Sequence, residues 1–199
     1  MSEHYYTADP ASAHDERRVS VRALGRELTF TTDAGVFSRD GLDRGTLALL
    51  EALPPLSGRV LDLGCGWGAV GAFLGAANPA LSLVLTDVNR RAAALARRNL
   101  AENGVKGEVV EGDGFEAVEG VFDAIVTNPP IRAGKAVIYG LFDQARSFLK
   151  PGGALYLVIR KQQGAPSALK YLKTIYDEAE VIDHSAGFWV LRAATRPGL

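Results

Sequence analysis

The apolar run Phe122-Asp123-Ala124-Ile125-Val126-Thr127 leads directly into Asn128-Pro129-Pro130-Ile131. Proline lacks an N–H and fixes φ, and the residue before a proline is driven to extended backbone, so this stretch leaves its strand rigid and non-helical. The Asn128 side-chain oxygen and the Asn128 and Pro129 carbonyls have few local donors and are placed to accept the N–H groups of a planar amine. A Pro-Pro turn that only ends a strand has the same sequence, so the assignment depends on what stands opposite.

Opposite stands Val60-Leu61-Asp62-Leu63-Gly64-Cys65-Gly66-Trp67-Gly68-Ala69-Val70-Gly71, a strand, a glycine loop and a helix start. Glycines admit positive φ and close backbone approach, and the helix N-terminus behind them offers N–H groups to a polar, nucleotide-like cofactor. After a second apolar strand comes Asp87, spaced to accept ribose hydroxyls, with Val88 beside it. Gly64-x-Gly66-x-x-Ala69 followed by an acid also fits a nicotinamide dinucleotide. Three features favour S-adenosylmethionine. Asp62 would repel a pyrophosphate but attract a cofactor bearing an ammonium and a sulfonium. Asp113, with Gly114, follows the third predicted strand and is placed to accept from an adenine amino group. Asn128 then supplies an amine-accepting site where the methyl group would arrive.

Together, Asp62-Leu-Gly-Cys-Gly-Trp-Gly68, Asp87, Asp113 and Asn128-Pro-Pro-Ile131 resemble the successive motifs of class I methyltransferases that act on exocyclic or amide nitrogen. More narrowly, His4-Tyr5-Tyr6, Thr32-Asp33-Ala34-Gly35-Val36-Phe37-Ser38, Asp43-Arg44-Gly45-Thr46, Asn128 to Lys135 and Lys161-Gln162-Gln163-Gly164-Ala165 resemble the ribosomal small-subunit RNA guanine-N2 methyltransferase family, in particular its C-terminal catalytic domain. The resemblance implies Asn128, Pro129 and Pro130 as catalytic residues. It implies Asp62, Gly64, Cys65, Gly66, Trp67, Gly68, Asp87, Val88, Asp113, Gly114 and Asn128 as the cofactor site. Phe37, Arg39, Ile131, Arg132, Lys135 and Lys161 would meet the substrate, and ribosomal RNA or the small ribosomal subunit would be the partner. Ile131 lacks the aromatic ring that related adenine and glutamine methyltransferases place there; Phe37 or Trp67 would have to stack on a base instead.

The elements that must position these groups follow from the pattern. Apolar strands at 59–63, 82–86, 107–111, 122–126 and 154–159 alternate with helices at 69–76, 89–103, 137–149 and 165–176, behind a short helix at 43–53. This βαβ rhythm predicts a Rossmann-like α/β fold with a mostly parallel sheet and helices on both faces, closed by an antiparallel hairpin around Gly187. A further hairpin over Val19–Thr31 precedes it and is expected to cover one end of the sheet, and residues 1–18 are expected to be loosely ordered. We expect one domain over 1–199, with an N-terminal extension and lid at 1–58 and a cofactor-binding core at 59–199.

With 199 residues and 47% hydrophobic content the chain can bury a sizeable core. Cys65 is its only cysteine, so neither an internal disulfide nor a cysteine zinc site is available, and a cytoplasmic protein is expected. No apolar run reaches membrane-span length, and His4, His14 and His184 show no metal-ligand spacing, so neither membrane nor metal is expected. A net charge of −1 gives no global affinity for nucleic acid. Local charge is more informative: Arg39, Arg44, Arg132, Lys135, Arg160 and Lys161 fall in connections that would ring one mouth. Arg90, Arg91, Arg97 and Arg98 lie off the stripe Ala92, Leu95, Ala96, Asn99, Leu100 and are expected to be solvated. Three alternatives to RNA methylation stay open: a protein glutamine N-methyltransferase, a nicotinamide oxidoreductase and a non-catalytic RNA-binding protein. The sequence leaves the oligomeric state undetermined.

Overall fold

The computed structural model describes residues 8–198. The expected docking of Tyr5 and Tyr6, and the His4-Tyr5-Tyr6 motif, lie outside the described residues. Two strands, β1 (Arg17–Ala23) and β2 (Arg26–Thr32), form a hairpin sheet of their own. Its two-residue turn places Leu24 at φ 51 and Gly25 at φ 67, the paired positive φ that matches the natural twist of a tight hairpin. Helix α1 (Arg44–Ala52) follows, then β3 (Arg59–Leu63), α2 (Ala69–Ala77), β4 (Ser82–Asp87), α3 (Arg90–Glu102), β5 (Glu108–Glu111) and β6 (Phe122–Thr127). The chain closes with α4 (Lys135–Ser147), β7 (Leu149–Arg160), α5 (Ala165–Ile175), β8 (Glu178–Ser185) and β9 (Phe188–Ala194).

The seven-stranded sheet has the order β5-β4-β3-β6-β7-β9-β8, and β9 alone among these strands runs against its neighbours. The expected Rossmann-like sheet with its closing hairpin is therefore present. Alternation along the strands sends Val60, Leu83, Leu85, Val126 and Tyr156 to one face, beneath α1, α2, α3 and the hairpin. Leu61, Val84, Ile125, Leu155 and Leu157 go to the other, beneath α4 and α5. Helix α2 lies very close to β4, because a Cβ on Gly71 would sit 2.6 Å from Leu85 and one on Gly75 2.7 Å from Leu83. Among the described residues no helix is long and apolar enough to cross a membrane.

Two expectations need correction and a third needs an addition. The predicted helix over 137–149 begins earlier and stops at Ser147, because Leu149 already pairs with Phe122 as the first residue of β7. The N-terminal hairpin covers helices rather than an end of the main sheet. Asn99 of α3 accepts from the Thr31 N–H at 2.8 Å and donates to the Thr31 carbonyl at 2.9 Å, which docks β2 on α3. The arginines of α3 are solvated as expected, Arg91 excepted, and they also act as tethers. Arg90 pairs with Asp9, Arg98 with Glu16 and Glu102, and Arg97 with Glu111. Arg91 donates to the Ser12 and Ala34 carbonyls at 2.9 and 2.6 Å. Periodicity places them off the buried stripe, but it is blind to the acidic segment at 9–16 that folds back onto them and is ordered by them.

Candidate functional site

Parallel register brings the motifs to one edge. Leu63 lies opposite Thr86 on one side and Thr127 on the other, and Asp87 opposite Glu111. The residues that follow, Gly64, Asp87, Asn128 and the Gly112–Asp113 turn, therefore emerge side by side at the carboxyl ends of the strands. The sheet order reverses between β3 and β6, the switch point at which parallel sheets of this kind take their ligands, and the glycine loop and Asn128 flank it. Thr127 Oγ1 donates to the Leu63 carbonyl at 2.8 Å and ties the two lips together.

On the β3 side the loop is self-supporting. The Gly64 and Cys65 N–H groups both reach the Thr86 carbonyl at 2.9 Å, Gly68 N–H reaches the Cys65 carbonyl, and Gly66 N–H reaches Asp87 Oδ2 at 2.8 Å. These four loop N–H groups are therefore satisfied within the protein. The loop contributes shape. Gly64 and Gly66 sit at φ 72 and 55, and a Cβ built on either would project into open space with no protein atom within 4 Å. Gly68 turns at φ 86 against Ala96 of α3, where a Cβ would be 3.0 Å from the backbone.

Asp87 accepts one N–H on each oxygen, from Gly66 and from Asn89. Each carboxylate oxygen retains a lone pair, so the group still accepts ribose hydroxyls while bracing the loop. Burial pushes its pKa up, and the two N–H bonds partly oppose that. Asp62 is 3% exposed and accepts from Gly71 N–H at 3.0 Å at the start of α2. Burial, reinforced by the Asp87 charge and opposed by that bond, pushes its pKa up to about 7. A carboxyl in this state favours a cationic neighbour, which would restore its charge. Val88 is half-buried beside Asp87, and Asp113 and Gly114 stand on the exposed turn after β5.

Trp67 and Cys65 turn away from this space. Trp67 is 3% exposed, packs on Phe30 with ring centroids 4.8 Å apart and donates Nε1 to the Phe37 and Ser38 carbonyls at 3.1 and 3.3 Å. Its indole is committed to the core, so the suggested stacking of Trp67 on a base is corrected: the side chain fastens the 37–38 lid to the loop. Cys65 is buried in the same cluster, and burial holds its thiol protonated.

On the β6 side, the Asn128 amide nitrogen lies 3.0 Å from Thr46 Oγ1 and 3.4 and 3.5 Å from the Asp43 carboxylate oxygens. Pro129 is buried, Pro130 is half-buried, and Ile131 opens a 3-10 turn, Ile131–Ala133, where it leans on the cluster under α4. Arg44, Arg132, Lys135, Arg160 and Lys161, the cations expected to ring this mouth, are exposed. Lys135 lies 5.1 Å over the Tyr139 ring and Arg160 5.1 Å over Phe188. Phe37, on the 37–38 lid, is 45% exposed. Arg39 does not belong to the rim. Its guanidinium grips the Asp15 carbonyl at 2.8 Å and also the Asp15 carboxylate, holding the N-terminal segment instead. Sequence reasoning missed that Asp43 and Thr46 are partners of Asn128. Their Asp-x-x-Thr spacing at a helix start carries the signal of an N-cap, and only the fold brings it to β6.

The described residues contain no group of His, Cys, Asp and Glu able to hold a metal. The family profile described as methyltransferase small domain matches residues 27–192. The chain is 37% identical over 198 residues to "Uncharacterized protein YbxB" of Bacillus subtilis, covering 97% of this chain and 98% of that protein. It is 40% identical over 159 residues to ribosomal RNA small subunit methyltransferase C of Shewanella loihica, covering 77% of this chain and 46% of that one. Among solved structures, "T. Thermophilus 16S rRNA N2 G1207 methyltransferase (RsmC) in complex with AdoMet and Guanosine" superposes with a TM-score of 0.78 at 31% identity, over 91% of this chain and 51% of that one. The chain thus spans about half the length of the ribosomal RNA methyltransferases that it matches.

Proposed function

This chain belongs to the methyltransferase small domain family, and from that membership and the switch point between β3 and β6 we propose that it methylates the exocyclic N2 amine of a guanine in small-subunit ribosomal RNA. The cofactor is S-adenosylmethionine, which supplies an electrophilic methyl group on a sulfonium sulfur. The residues present fit it. The open space over Gly64 and Gly66 takes its amino-acid moiety, buried Asp62 favours positive charge beneath the loop, and Asp87 has lone pairs left for the ribose. Asp113 with Gly114 stands one strand further along, where an adenine amino group would reach.

The observation that supports the reading is the shared register of Leu63, Thr86 and Thr127, from which the glycine loop and Asn128 emerge side by side at one edge of the sheet. A base amine is a weak nucleophile because its lone pair is delocalised into the ring. Asn128 Oδ1 and the neighbouring carbonyls, accepting both amine N–H groups, turn that lone pair out of the ring plane toward the methyl group. Positioning and electrostatics then supply most of the rate. The amine proton becomes acidic as positive charge develops on nitrogen, so no strong base is needed. A guanine taken from a stack costs a few kcal/mol, and exposed Phe37 offers a stacking surface in compensation. Arg132, Lys135 and Lys161 would contact phosphates, with Ile131 against the base. The printed names of the relatives support ribosomal RNA as target, and the single buried Cys65 suits a reducing cytoplasm.

Tritiated methyl transfer to small ribosomal subunits, to the RNA stripped from them and to translation release factors tests the target. Label in guanine N2 of the RNA is expected. Label confined to protein would replace this reading with an amide N-methyltransferase.

A further inference from the structure

Asp43 caps α1: its Oδ1 accepts the Gly45 and Thr46 N–H groups at 2.9 and 3.2 Å. Its Oδ2 takes the Thr46 hydroxyl in a short hydrogen bond. The Asn128 amide nitrogen then lies 3.0 Å from Thr46 Oγ1. The donor pattern in this chain has only one solution. A carboxylate only accepts, so the single hydroxyl proton of Thr46 goes to Asp43, and Thr46 Oγ1 can only accept from Asn128. The Asn128 group facing α1 is therefore NH2, and its Oδ1 points away from the first turn of that helix. Thr46 is 7% exposed, so little water competes for these bonds. Successive hydrogen bonds ending on a carboxylate polarise one another and draw electron density onto the far oxygen of the amide.

We propose that Asp43 and Thr46 are positioning residues that fix the Asn128 amide as an acceptor toward the target, selecting an amine over a carbonyl at that point. The proposal rests on the reading of Asn128 as the amine acceptor. Without the clamp the amide is free to rotate and present NH2, which repels a target amine and leaves the transition-state charge unmatched.

Three variants test it, with tritiated methyl transfer to small ribosomal subunits, calorimetric binding of S-adenosylhomocysteine and thermal melting as readouts. Thr46→Val keeps shape and removes the hydroxyl. Thr46→Ser keeps the hydroxyl, and Asp43→Asn keeps a competent helix cap while losing the acceptor-only carboxylate. The expected result is a roughly 10- to 100-fold fall in kcat for Thr46→Val and Asp43→Asn, with KM and cofactor affinity within about twofold and with Thr46→Ser recovering most of the rate. Unchanged kcat in Thr46→Val and Asp43→Asn, or an effect confined to KM or cofactor affinity, overturns the clamp. If Asn128→Ala is inactive in the same assay, that failure leaves the methyltransfer reading standing. If Asn128→Ala transfers methyl at the normal rate, the acceptor role of Asn128 falls and the clamp falls with it.

Discussion

The two lips of the switch point are built on opposite principles. The β3 lip spends its polar groups on itself: Thr86 takes two loop N–H groups, Asp87 takes a third, and Asp62 is buried beneath. The β6 lip is held by Thr127 to Leu63 and by the Asn128 amide nitrogen to Thr46, and beyond these opens onto exposed Arg132, Lys135 and Lys161. A lip already satisfied keeps its shape whether or not a ligand is present, so it suits a constant cofactor. A lip with acceptors and charge held outward suits a large, polar target that brings its own donors and phosphates.

If the lips are separable, damage to one should leave the other's ligand unaffected. The largest effect is expected from Asn128→Ala, with methyl transfer down by roughly 10²- to 10³-fold or more and S-adenosylhomocysteine affinity nearly unchanged by calorimetry. A matching loss of cofactor affinity would mean that the lips act as one unit. Asp87→Ala should do the reverse, weakening S-adenosylhomocysteine by roughly 10- to 100-fold through lost charge-assisted hydrogen bonds, with added loop instability from the orphaned Gly66 N–H.

Asp62 tests how dry the β3 lip is. Burial pushes its folded-state pKa up to about 7. The unfolded value is near 4, so the folded chain binds the extra proton between these limits. Its stability is full at the acid end of the window and is lost as pH rises toward about 7. Asp62→Asn still accepts from Gly71 but cannot ionise. It should flatten that decline by on the order of a few kcal/mol in denaturant titrations run at about pH 5 and about pH 8. An unaltered slope would place the titrating group elsewhere. The smallest effects belong to the open lip. Arg132→Ala and Lys135→Ala should each weaken RNA binding a few-fold and lower the salt slope of log K by about 1, without changing cofactor affinity. Salt-independent losses would assign these residues to something other than phosphate contact.

Much of this was legible in the chain, for a physical reason that differs by region. Apolar runs marked strands β3, β4 and β6 nearly to the residue, because buried parallel strands need continuous apolar sequence. Asp87 and Asn128 were found because each stands at a strand end, where side-chain type has no packing to serve. Arg39 was misplaced, the tethering by the solvated arginines of α3 was missed, and Trp67 took the packing role rather than the stacking one. Their residue type fits either a ligand or a tether, and the choice was made by Phe30, Asp15 and Glu16, which are distant in sequence.

By itself the sequence determined the succession of strands and helices along the chain, the glycine loop, the carboxylates and the donor-poor Asn128-Pro129-Pro130, since all of these are local consequences of residue type and spacing. Only the tertiary structure decided which way Asn128 faces, where the loop's N–H groups are spent and which cations remain free. Those are properties of hydrogen bonds between segments such as Thr46 and Asn128, or Thr86 and Gly64, and a hydrogen bond has no direction until both partners have been placed.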